Sequence, residues 1–156
     1  MKTIAIALLL TTLAIATALW ADTLATTMTV KTTQLKTSLT IVSTSCNNPW
    51  TATVTTSYTY TTWSNITTLT IKVSKPGQGG PAKGTCTLLL RFTNYGMPVK
   101  LYTFYSIQSG SCQISYQSLS NGTQIEGGES RNFSLNLQNC NPTTVQVTIT
   151  ARAWNQ

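Results

Sequence analysis

Histidine is absent from this 156-residue chain, and only three acids occur, Asp22, Glu126 and Glu129. Without an imidazole there is no Ser–His or Cys–His pair to activate a nucleophile. Two carboxylates remain beyond Asp22, and both belong to one Gly-Gly turn, too close in sequence to flank a substrate as paired acid and base. A metal site would have to be all-thiolate, yet Cys46, Cys86, Cys112 and Cys140 are widely spaced with no C-x-x-C pair. The Gly- and Pro-rich stretch KPGQGGPAKG, residues 75–84, lacks the G-x-x-x-x-G-K-[ST] spacing, and no helical pattern follows it. No catalytic residue, metal ligand or cofactor site is therefore expected. The chain reads as a non-enzyme.

Charge is scarce as well. Asp, Glu, Lys and Arg make up 8% of the sequence, against about 25% in an ordinary soluble domain. The net charge of +7 reflects missing acids more than abundant bases. The bases (Lys31, Lys36, Lys72, Lys75, Lys83, Arg91, Lys100, Arg131, Arg152) are scattered, so a solvated surface is expected in place of a nucleic-acid patch. Threonine, about one residue in five, supplies the missing polarity. Its β-branched, hydroxylated side chain suits the wet face of a strand and resists helix.

Long apolar runs are confined to the start. MKTIAIALLLTTLAIATALWA places Lys2 ahead of an apolar stretch from Ile4 to Trp20, with small residues before Asp22. Residues 1–21 have the layout of a secretory signal, with cleavage after Ala18 or Ala21. Retained, they would form one hydrophobic helix acting as an anchor, the chain's only expected route to a membrane. Either reading sends the remainder out of the cell.

An even count of well-separated cysteines in an exported chain points to disulfides. Folding about the Glu126-Gly127-Gly128 turn would set Cys112 opposite Cys140, which leaves Cys46 for Cys86.

The body alternates with the period of a strand. Phe133, Leu135 and Leu137 share one parity and Asn132, Ser134 and Asn136 the other. Cys86, Leu88, Leu90 and Phe92 oppose Thr87, Leu89 and Arg91, and Val145, Val147, Ile149 and Ala151 oppose Gln146, Thr148, Thr150 and Arg152. Residues 49–74 read as a long hairpin, with Trp50, Ala52, Val54, Thr56, Tyr58 and Tyr60 on one face and a turn near Trp63-Ser64-Asn65. Seven to nine short strands separated by turn residues, with no helical period after residue 22, predict an all-β sandwich over 46–156. Ahead of it, residues 22–45 form an extended segment, either the first strands of this sandwich or a strand donated to a neighbour.

Three sequons occur, at Asn65, Asn121 and Asn132. They are expected at the hairpin tip, in an Asn-Gly turn and on the polar parity of a strand, where each can carry a glycan.

The stretch from Leu88 to Thr150 resembles the immunoglobulin-like modules of exported archaeal surface proteins. LLLRFTNYGMPVKLYTF is similar to their strand–Asn-x-Gly–strand unit, and QIEGGESRNFSLNL to their Gly-Glu-Ser turn before an apolar-alternating strand. The resemblance covers under half the chain. It implies an immunoglobulin-like sandwich and the outer domain of an archaeal pilin or thread-like filament. Only Met1 and Lys2 precede the apolar run, which departs from the basic leader of type IV pilins and favours the thread-like arrangement.

The expected function is a non-catalytic, N-glycosylated structural subunit of an extracellular filament or cell-surface assembly, whose partners are further copies of itself. The alternative is a monomeric surface domain that binds glycan or protein, with Trp63, Tyr95 and Trp154 as aromatics suited to a sugar.

Overall fold

In the computed structural model, residues 35–154 are described, and they are all-β with no helix. The hydrophobic segment 1–21 and residues 22–34 of the proposed donor segment lie outside them. Nine strands form: β1 Thr37–Cys46, β2 Thr51–Tyr60, β3 Ser64–Ser74, β4 Gly84–Asn94, β5 Val99–Ser109, β6 Gln113–Gln117, β7 Thr123–Ile125, β8 Ser130–Cys140 and β9 Thr143–Ala153. They make two antiparallel sheets in the orders β1-β4-β8-β6 and β2-β3-β9-β5-β7.

Period-2 alternation selects the core. Leu88, Leu90 and Phe92 of β4 and Phe133, Leu135 and Leu137 of β8 join Leu69, Ile71 and Val73 of β3 and Val145, Val147 and Ile149 of β9 in one buried cluster. Each such side chain contributes about 1.5–3 kcal/mol on burial. The opposite parity is polar. In the four-stranded sheet Thr87 donates to Asn136 Oδ1 at 3.1 Å, Arg91 Nε to Asn132 Oδ1 at 3.0 Å, and Thr93 bonds Ser130 at 2.9 Å.

Residues 37–45 of the segment considered as a donor pair inside this chain, as β1 against β4. The hairpin loop also falls earlier than expected. Thr61 N donates to the Ser64 carbonyl, and Tyr60 stands opposite Asn65, so Asn65 belongs to β3 and not to the tip. The loop before β4 is anchored from below: Trp50 Nε1 donates to the Pro81 carbonyl at 3.0 Å, and Asn47 Nδ2 to the Lys83 carbonyl at 3.2 Å. Gly84 is required there, because a Cβ would come within 2.6 Å of the Trp50 ring.

Both expected disulfides form, Cys46–Cys86 between β1 and β4 and Cys112–Cys140 beside the β6–β8 pairing. The second does not arise from one simple hairpin. β7 intervenes and joins the other sheet, next to β5. Both bridges staple the four-stranded sheet, and together they fit an oxidising environment.

Candidate functional site

Among the described residues, two edges of the five-stranded sheet are open, and the local sequence explains why each stays extended. β2, TATVTTSYTY, holds β-branched and aromatic residues and contains no charge, Pro or Gly. Strand edges are ordinarily protected by just such residues or by bulges. From the Thr61–Ser64 hydrogen bond, the two-residue repeat runs back through Thr59↔Ile66, Ser57↔Thr68 and Thr55↔Thr70. Odd residues therefore bond to β3, while Ala52, Val54, Thr56, Tyr58 and Tyr60 turn their N–H and C=O groups away from the sheet. Tyr58 and Tyr60 also carry the parity that faces the core, yet they are 50% and 65% exposed and stack at 6.3 Å. Across from this edge β1 exposes Ile41 and Val42 at a bulge.

The other open edge is the second half of β5. β7 pairs only with Val99, Lys100 and Leu101. Trp154 N donates to the Pro98 carbonyl, so even residues of β5 bond to β9 and odd residues face outward. Thr103 N is capped by Asn121 Oδ1 at 2.7 Å, and Thr103 Oγ1 donates to the same oxygen at 3.2 Å. Tyr105 and Ile107 have no neighbouring strand on that side among the described residues. A cavity of about 500 Å³ wraps this edge, lined by Thr103, Phe104, Tyr105, Tyr116, Leu119 and Asn121. The Tyr116 hydroxyl is buried, with the Thr103 side chain as its polar neighbour. Burial pushes its pKa up to about 12, and the nearby Thr103 hydroxyl, turned toward Asn121, offsets this only in part.

The three sequon asparagines have different fates. Asn65 is 6% exposed, and its Nδ2 donates to the Leu35 carbonyl at 3.1 Å and to Thr37 Oγ1 at 2.9 Å. The expected place at the hairpin tip is corrected to β3, and both amide hydrogens are occupied inside the protein. Its parity with Leu69, Ile71 and Val73 was the available signal, masked by placing the turn two residues late. Asn132 is exposed on the outer face of the central strand β8, with Oδ1 accepting from Arg91. Asn121 is exposed in the turn before β7, and its Nδ2 has no partner among the described residues. Sequence reasoning missed Phe104, Tyr105 and Tyr116 around it, because they come from two strands whose edges meet only in the folded chain.

The two carboxylates serve their own turn. Glu126 N donates to Glu129 Oε2 at 2.9 Å and Arg131 Nε to Glu129 Oε1 at 3.0 Å. The Glu126 backbone N–H, and after it Arg131, hold the Glu129 carboxyl below its ordinary value. Glu126 itself contacts Gln124. Among the described residues no group of three or more Cys, Asp or Glu converges as metal ligands would.

Trp63, Tyr95 and Trp154 are exposed in the β2–β3 loop, the β4–β5 turn and the end of β9, and none lines the cavity at β5. Trp154 carries Lys100 Nζ 4.2 Å above its ring, and Tyr102 carries the Arg152 guanidinium at 5.3 Å.

No family model matches the chain, and no curated protein and no solved structure matches it.

Proposed function

We propose that this chain is a non-catalytic structural subunit of an extracellular filament or cell-surface assembly, built by strand addition at β2. The observation that carries the reading is the β2 edge: ten residues with no protecting charge, Pro or bulge, outward main-chain groups, and an exposed Tyr58–Tyr60 pair. An added strand would satisfy those groups and cover the tyrosines. Residues 22–34 of a neighbouring copy are the strand we assign to it, since they are Thr-rich and lead directly into β1. Export through residues 1–21 and the two disulfides agree with assembly outside the cell.

The strand order supports an immunoglobulin-like reading. In such domains strands A, B, E and D share one sheet and C, F and G the other. Here β1-β4-β8-β6 fits A-B-E-D and β5-β9-β3 fits C-F-G, with β3 filling the place of G from earlier in the chain. This is the arrangement implied by the resemblance to archaeal surface modules.

The test is electron microscopy and size exclusion of the mature protein. Thr56→Pro removes an outward N–H, which an edge strand tolerates; it should leave a folded monomer, as should deletion of 22–34. Polymers that persist in both variants, or a native protein that is monomeric throughout, would refute the proposal. A second reading, a monomeric surface domain that binds glycan, draws on the Lys100–Trp154 and Arg152–Tyr102 pairs, which present aromatic rings beside cations on one outer face.

A further inference from the structure

The cavity at β5 joins three features that the assembly reading does not use. Asn121 opens the sequon Asn121-Gly122-Thr123, and its side chain is already oriented, because Oδ1 accepts from both Thr103 N and Thr103 Oγ1. That geometry leaves Nδ2 as the free end of the amide. Phe104, in the same cavity, is 68% exposed, the most exposed large apolar side chain among the described residues. Tyr116 lines the cavity too, with its hydroxyl buried. An exposed apolar ring and a free amide nitrogen beside one cavity match the needs of an attached sugar, whose C–H face stacks on an aromatic.

We propose that Asn121 is the N-glycosylation site of this protein and that its first sugar residue seats in this cavity, against Phe104. The bond formed joins Nδ2 to C1 of a sugar delivered as a polyprenyl (pyro)phosphate. The C1–O bond to phosphate breaks, the phosphate leaves with the electron pair, and one Nδ2 proton passes to a base of the transferase. Oδ1 is untouched, so both hydrogen bonds from Thr103 survive the modification. The space is adequate: about 500 Å³ exceeds what one hexose occupies, at the lower end of small-molecule sites.

A consequence follows for the sheet. The sugar would stand over the outward main chain of Tyr105 and Ile107, closing the edge that β7 leaves uncovered. A bulky hydrophilic group there does what a charge or Pro does on other edge strands. Within the five-stranded sheet, strand addition is then confined to β2.

The experiment is glycopeptide mass spectrometry of the native exported protein, joined to melting curves. The peptide containing Asn121 should carry a sugar mass, and Asn121→Gln expressed in the same cells should lose that increment. Phe104→Ala should lower the Tm of the glycosylated protein by roughly 2–4 °C while leaving the Asn121→Gln protein unchanged. An unmodified Asn121, sugar on Asn132 alone, or an equal Tm shift in both backgrounds would overturn the inference. None of these readouts depends on whether the protein polymerises, so failure here is distinct from failure of the assembly reading.

Discussion

Asn65 of β3 donates its side-chain amide to Thr37 Oγ1 of β1 at 2.9 Å, a hydrogen bond that ties one sheet to the other at the open side of the molecule. The same amide reaches the Leu35 carbonyl, so the chain entering β1 is fixed by a residue in the opposite sheet. Removing it leaves a buried carbonyl unpaired. Asn65→Ala should lower unfolding stability by about 1–3 kcal/mol in urea titration, and Asn65→Gln should not restore it, since the longer arm misplaces the amide. Wild-type stability in Asn65→Ala would mean that this contact contributes nothing.

Asn94 holds the same end of the fold, in β4 directly opposite Thr37. It is fully buried, its Nδ2 contacts the carbonyls of Met97, Ile125 and Glu126 at 2.8–3.1 Å, and its Oδ1 accepts from Gly96 N at 3.1 Å. Its own carbonyl accepts from Gly128 N. One side chain thus joins the β4–β5 turn to the β7–β8 turn. Asn94→Ala should cost roughly 2–4 kcal/mol in the same assay, and Asn94→Asp a similar amount, because three carbonyls would then face a group with no N–H.

The disulfides close loops of 40 and 28 residues. Chain-entropy arguments give about 3–4 kcal/mol for each. Paired Cys→Ala replacements at either bridge should therefore shift the denaturation midpoint strongly, and loss of both should leave little folded protein at 37 °C. A midpoint that hardly moves on full reduction would show that the core alone holds the sheets.

Stability should respond little to mild acid. With no histidine, no side chain has its ordinary pKa between about pH 5 and 8. The lowered Glu129 pKa supplies stability that is complete above the usual carboxylate range and fades only as pH falls through the depressed value. Tyr116 acts at the other extreme. Its raised pKa means that folding favours the neutral phenol, so stability is intact below about pH 10 and declines from there toward pH 12. Melting temperatures should be flat from pH 8 to 5, and Tyr116→Phe should flatten the alkaline limb. A steep loss between pH 7 and 5 would contradict this account.

Much of this was legible along the chain. Alternation placed Leu88, Leu90 and Phe92, then Leu135 and Leu137, then Val145 and Val147 on the inward parity, because the pleat repeats every two residues wherever a strand runs. Threonine content and the lack of helical period set the class, and the cysteine positions narrowed the bridges. Sequence spacing could not say which sheet a strand joins. β6 and β7 are separated by one short turn, yet they lie in opposite sheets, a choice made by long-range pairing with β8 and β5. Nor could it say which edges stay open, so Tyr58 and Tyr60 carry a core parity and still face solvent. Whether a polar side chain ends wet, like Asn121, or buried, like Asn65, depends on what the other sheet places across from it. Parity is a property of the local backbone; coverage is a property of the assembled layers.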